Sequence, residues 1–210
     1  KHLKINVRDS MSALDIKNNL LGVCDQMYLF EPGDDTTVCV LKAVKPKKVK
    51  LFTGPPTHKE DDAKVVHELM NNADIRIVSG GTTSQIVARE LGVEVKSSTE
   101  IYDKEVPPIA YIQGVDLVTE GVLTLSKTID RLKSLSKSLD SDIFKAKDGA
   151  SQMAKLLYSA SHIKLLVGRS LNIANAESSF QRDLELRLHV VGELEKILVK
   201  LGKIVTVEYY

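Results

Sequence analysis

The chain has 210 residues, 43% of them hydrophobic and 27% charged, which is enough apolar material for a buried core and excludes intrinsic disorder. Its 29 Lys and Arg stand against 28 Asp and Glu, a formal net charge of +1, so there is no general electrostatic attraction to nucleic acid or to an anionic membrane. No apolar run approaches the roughly 20 residues that cross a bilayer and no signal peptide opens the chain. Two cysteines, Cys24 and Cys39, are too few for a disulfide framework or a cysteine-based zinc site, and the cytoplasm is the expected location. Trp is absent and aromatic residues make up 5%, which argues against a stacking platform for bases or sugars.

The chain opens Lys1-His2-Leu3-Lys4, without Met, and reads as a piece cut from something longer. From Ser12 to Tyr28 apolar residues fall at Ala13, Ile16, Leu20, Val23 or Cys24, and Met27, the spacing of one helix face, with Ser10 or Ser12 as cap. Pro32-Gly33-Asp34-Asp35 turns the chain, and the β-branched stretch Thr36 to Val44 predicts a strand. Lys45-Pro46-Lys47-Lys48 is the best linker, dividing residues 1–45 from 46–210.

Beyond the linker the pattern is strand–loop–helix, twice. Val49 to Phe52 ends in Thr53-Gly54-Pro55-Pro56 before a helix from about Lys59 to Met70. Ile75 to Val78 ends in Ser79-Gly80-Gly81-Thr82-Thr83 before a helix from about Ser84 to Leu91, stopped by Gly92. Val93 to Val95 and Ile109 to Ile112 are weaker strand candidates. Leu117 to Lys133 reads as helical in its second half, and the Ser/Lys-rich stretch Ser134 to Ser141 as exposed. A helix from about Asp148 to Ala160, a strand His162 to Val167, a long helix bearing Leu184, Leu188, Val191, Leu198 and Leu201, and a strand Ile204 to Tyr209 complete the chain. Five or six strands with covering helices, joined by right-handed crossovers, predict an α/β, Rossmann-like domain with a mostly parallel sheet, preceded by a separate helix–strand unit.

Several residues could carry chemistry. Asp34-Asp35 could offer oxygen ligands to a hard divalent cation, but a lone carboxylate pair on a turn reads more simply as solvated. Thr53, Gly54, Gly80, Gly81, Thr82 and Thr83 sit where strands give way to helices. There, glycine lets backbone N–H groups approach a ligand, and a helix N-terminus adds positive partial charge for a phosphate or carboxylate. The other reading is tight turns with Thr or Ser as caps; neither loop has the phosphate-loop or dinucleotide spacing. Glu120, between Thr119 and Gly121, could take a cation or a ribose, or cap a helix. Arg169 ends another predicted strand and could pair with an anion. The histidines show no metal spacing. The long helix could serve a homodimer interface.

Taken together, the helix, the Asp34-Asp35-Thr36-Thr37 turn and the β-branched stretch resemble the C-terminal end of metal-dependent serine/threonine phosphatases of the 2C type, in particular the bacterial SpoIIE (sporulation stage II protein E) family. Further blocks resemble the C-terminal extension that some members carry. They are Thr53-Gly54-Pro55-Pro56, Gly80-Gly81-Thr82-Thr83 with Ile86 to Leu91, Pro107-Pro108, Gly114 to Leu125, and Val167 to Asn172. The resemblance implies that Asp34 is a metal ligand. It also implies Mn²⁺ or Mg²⁺ in the intact phosphatase and a phosphoserine or phosphothreonine regulator protein as partner; from its loops and Glu120, the α/β domain is expected to bind a small anionic ligand and adjust the phosphatase. The family's other metal-binding aspartates lie in Asp-Gly blocks upstream. Here the single Asp-Gly, Asp148-Gly149, lies far downstream, so these 210 residues are expected to be inactive as a phosphatase. The rival expectations are an enzyme acting on a nucleotide or phosphorylated metabolite, and a dimerisation module.

Overall fold

The structure, a computed structural model, describes residues 7, 8, 11, 13–31, 33–137, 143, 145–170 and 177–210, with side chains 136, 137 and 177–182 and that of residue 14 set aside. Ser10, Ser12, Pro32, the stretch 138–141 and Leu171-Asn172, all singled out above, lie outside the described residues. The chain divides into two compact units, Lys1–Lys45 and Pro46–Tyr210.

In the first unit the helical spacing produces α1 (Ala13–Met27). Main-chain bonds from Tyr28 N to Cys24 O and from Phe30 N to Asp25 O then close the helix. Leu29 and Phe30 take positive φ there, 53° and 64°, an uncommon conformation for large side chains. The strand expected over Thr36–Val44 does not form: residues 35–47 carry no strand. β-branched side chains favour an extended backbone, but a strand exists only where a second one takes up its N–H and C=O groups. This unit has no other strand among the described residues. Leu41 and Val44 are accordingly 94% and 70% exposed, and no described residue before Val49 belongs to the buried core.

The second unit is built on a seven-stranded sheet and is α/β and Rossmann-like. Its elements are β1 (Lys48–Thr53), α2 (Asp62–Met70), β2 (Ile75–Ser79), α3 (Gly81–Leu91), β3 (Lys96–Ser97), β4 (Ala110–Tyr111), β5 (Leu117–Thr119), α4 (Val122–Lys137), α5 (Gly149–Ser159), β6 (His162–Val167), α6 (Glu177–Lys200) and β7 (Ile204–Tyr209). Across the sheet the order is β3-β4-β5-β2-β1-β6-β7. The β5-β2-β1-β6-β7 portion is parallel throughout, while β3 and β4 run antiparallel at one edge. Renumbered by their own sequence, the parallel strands stand 3-2-1-4-5, the order of a doubly wound dinucleotide-binding sheet. In such a sheet the crevice for a ligand lies at the carboxyl ends of the strands, beside the point where the order reverses.

Each face of the sheet has its own core. Val49 and Leu51 of β1 join α4, α5 and α6 in one cluster; Phe52 of the same strand joins α2 and α3 in the other. This double burial leaves every β1 residue after Lys48 buried, including Lys50, whose ammonium is paired with Glu68. Three details depart from the sequence reading. The strand near Val93–Val95 forms instead at Lys96–Ser97. Leu117–Thr119 is a strand, three fully buried residues too short to announce a period. α4 runs through Ser134 to Lys137 because Leu135, 1% exposed, continues the buried stripe of Leu125, Ile129 and Leu132. No helix among the described residues is long and apolar enough to cross a membrane.

Asp148 begins α5 by accepting the Ser151 N–H at 2.9 Å from a site only 6% exposed. Replacing it with Ala removes a cap in a buried position. The expected cost is about 1–2 kcal/mol, read as a lower urea midpoint with unchanged slope.

Candidate functional site

At the carboxyl edge of the sheet, three loops and one helix enclose a crevice of about 270 Å³. β1 supplies Thr53 and Gly54, β2 and the start of α3 supply Gly80, Gly81, Thr82 and Thr83, β5 supplies Glu120, and α6 closes the wall with Asp183 and Arg187. Seven of the residues singled out in the sequence therefore converge on one cavity, although they are spread over 68 positions from Thr53 to Glu120. A second cavity, bordered by Pro107 and Pro108, shares Gly81 and Glu120 with the first.

The loop chemistry follows from the backbone. Gly80 stands at φ 118°, and its carbonyl accepts both the N–H of Ser84 at 2.9 Å and its hydroxyl at 2.8 Å. The N-cap residue Gly80 has no side chain with which to cap α3, and the N-terminal end of this helix, with its partial positive charge, faces the crevice. The Glu120 carbonyl is clamped by the hydroxyls of Ser79 at 2.8 Å and Thr119 at 2.9 Å. Its exposed carboxylate lies beside the first residue of α3, where a Cβ at Gly81 would come 3.7 Å from Oε1.

At the strand-order reversal itself the two loops touch. Gly168 N donates to Thr53 O at 2.9 Å, and Ser170 N to Pro55 O at 3.0 Å. A Cβ at Gly168 would run into the carbonyl oxygens of Gly54 and Pro55. Arg187 fastens the same place from α6: its Nη1 donates to Gly168 O at 3.1 Å and to Ser170 O at 3.4 Å. Gly54, at φ 78°, has no room for a side chain, since a Cβ would come 2.5 Å from that nitrogen. The Arg187 residue is 7% exposed. Burial pushes its pKa down, partly opposed by Asp183 one turn earlier, and the guanidinium stays charged.

Arg169, the arginine chosen from the sequence, does not line the crevice. Its guanidinium lies over the Tyr209 ring at 5.2 Å, and its N–H donates to Tyr210 O at 2.8 Å. Arg187 is the basic residue of the crevice instead. The sequence carried a signal for it: Arg187 falls on the stripe of Leu184, Leu188 and Val191, where a charge needs a reason to be buried.

Asp34 belongs to the first unit. It is exposed and accepts the Asp35 N–H at 2.8 Å. Among the described residues no group of three or more His, Cys, Asp or Glu converges. A divalent metal needs several oxygen ligands held together, so Asp34 with Asp35 does not fit as a complete site, and no chemical step is assigned to a metal here.

This unit is a doubly wound α/β domain with a polar crevice at its carboxyl edge. No protein-family model, curated protein or solved structure matches the chain.

Proposed function

We propose that residues 46–210 form a regulatory module that binds a small anionic ligand in the carboxyl-edge crevice. In this reading residues 1–45 are the last segment of a cytoplasmic phosphatase resembling the SpoIIE family. The parent protein would use Mn²⁺ or Mg²⁺ to hydrolyse phosphoserine or phosphothreonine on a regulator protein, and ligand binding to the module would adjust that activity. The observation that carries the ligand-binding part is the meeting of a helix N-terminus that begins on glycine, two glycine-bearing loops and a buried arginine in one cavity. The exposed Met27, Leu29, Phe30 and Leu41 support the rest: a unit with a helix but no buried core among its described residues suits a segment that packs on a larger domain.

Binding is favoured over catalysis by composition. No His, Cys or Lys among the described residues lines the crevice, and the Ser79 hydroxyl is committed to the Glu120 carbonyl rather than to a base.

Thermal unfolding across a panel of phosphorylated metabolites, nucleotides and carboxylates tests the reading. A ligand at 100 times its Kd adds about 2.7 kcal/mol, a readily measured rise in Tm. Gly81→Val should fold, because its Cβ meets nothing nearer than 3.7 Å, yet fill the mouth of the crevice and abolish the rise. A silent panel, or shifts indifferent to Gly81→Val, would refute the module. The expected inactivity of the 210 residues is checked separately, by aryl-phosphate hydrolysis with Mn²⁺: only background turnover should appear, and clear turnover lost in Asp34→Ala would refute it.

A further inference from the structure

The crevice has two ends of opposite sign. At one end stands Arg187, and at the other the carboxylate of Glu120, with the N-terminus of α3 between them. Gly54 follows β1 and Glu120 follows β5, with β2 between these two strands. A spacing of about 4.8 Å per strand separates the ends by about 10 Å.

Among the described residues, Arg187 is not used up by the fold. A guanidinium has five N–H donors, and the bonds to the Gly168 and Ser170 carbonyls occupy Nη1 alone. Nε and Nη2 find no acceptor among the described residues, nor does any carboxylate form an ion pair with Arg187. Arg187 is 93% withdrawn from solvent, with Asp183 one turn away and no contact ion pair among the described residues, a costly arrangement whose remaining donors suit a tetrahedral oxyanion.

The charges also limit how many phosphates fit. The positive charges are Arg187 and a partial charge of about +0.5 at the α3 N-terminus, set against the carboxylates of Glu120 and Asp183, so the crevice has room for no more than one phosphate monoester, which carries about −1.5 to −2 at neutral pH. A chain of phosphates would lay its further charges against Glu120 and Asp183, both of which line the crevice. A carboxylate at the far end is suited to accept hydroxyl protons.

We infer that the ligand is a phosphate monoester with a hydroxyl-bearing body, its phosphate held by Arg187 and the start of α3 and its hydroxyls by Glu120. This rests on the crevice being a ligand site, as proposed above. A sugar phosphate and a nucleoside monophosphate share this chemistry, and the experiment separates them.

Titration calorimetry on the 210-residue chain, with ribose 5-phosphate, AMP, ATP without divalent metal, inorganic phosphate, ribose and gluconate as probes, decides the matter. Ribose 5-phosphate, AMP or both should bind, ATP at least tenfold more weakly than the better of the two, and ribose not at all. Affinity should fall severalfold from pH 7.5 to pH 5.5, as a phosphate with a second pKa near 6 regains its proton. Arg187→Gln should weaken binding at least tenfold. Because Arg187 also holds the loop after β6, Arg187→Lys, which keeps the charge but loses the fork, serves as a milder variant with an intermediate loss. Glu120→Gln, on an exposed side chain, should weaken the sugar-bearing probe about fivefold while leaving inorganic phosphate unchanged. Should gluconate or ribose bind in a Gly81→Val-sensitive way while both monophosphates stay silent, this inference falls and the ligand crevice stands. If every probe is silent, and the broad panel as well, both fall.

Discussion

Gly168→Ala should lower the stability of the α/β unit by at least about 3 kcal/mol, the upper range for forcing an added methyl into a packed site. Most glycine substitutions are milder because a flexible side chain can yield. Here the added carbon would meet the carbonyl oxygens of Gly54 and Pro55, which are main-chain atoms. They cannot retreat without breaking the bonds that join the loops, Gly168 N to Thr53 O and Ser170 N to Pro55 O. The collision also lies where the parallel strands reverse their order, between β1 and β6, inside the parallel part of the sheet. Gly192→Ala supplies the contrast. It lies inside α6 with nothing within 4 Å of a new Cβ, so it should stabilise by about 0.5–1 kcal/mol. Chemical denaturation followed by circular dichroism compares the two. Equal midpoints would show that the two loops are free to separate, and that the crevice floor is not fixed as described.

The glycines of the crevice were visible in the sequence because strand-to-helix junctions carry a local signature. Thr53-Gly54 and Gly80-Gly81 each end an apolar run and precede a helical period. The helices and the strands of the parallel sheet, apart from short β5, were legible for the same reason. What stayed hidden depends on contacts far apart in the chain. The strand expected at Thr36–Val44 has suitable side chains but no partner, and pairing is invisible to local propensity. β3, β4 and β5 have two, two and three residues, too few to show alternation. Arg169 and Arg187 illustrate the limit at the site. Both are arginines near a strand end or on a helix, and only the sheet order, which places α6 against the β1 loop, decides which of them reaches the crevice.

Glu68→Ala is expected to cost about 2 kcal/mol through charges it leaves behind. Glu68, on α2, receives Lys50 of β1 at 2.6 Å and Lys164 of β6 at 2.8 Å, and Lys164 also reaches Glu208 of β7 at 2.6 Å. The Lys50 side chain is only 10% exposed, so losing its carboxylate strands a nearly buried ammonium. Removing one partner of a fully buried pair costs about 3–5 kcal/mol. The smaller value follows because Glu68 is itself 30% exposed, and because Lys50 keeps a bond to the Glu68 main-chain oxygen. The apolar double variant Lys50→Met/Glu68→Leu should restore most of the loss, since no charge is then left without a partner. Hydrogen bonds from Lys164 and then Lys50 hold the Glu68 carboxyl below its ordinary value of 4.5, and Lys164 does the same for Glu208. A carboxyl depressed by folding contributes its full stability above that value and loses it as the pH falls through the folded pKa. The wild type should therefore lose stability from about pH 4.5 downwards, whereas Glu68→Ala, which lacks that contribution already, should lose less, so that the two curves approach each other in acid. Curves that stay parallel down to pH 3 would mean that Glu68 holds β1, α2 and β6 together by packing rather than by charge.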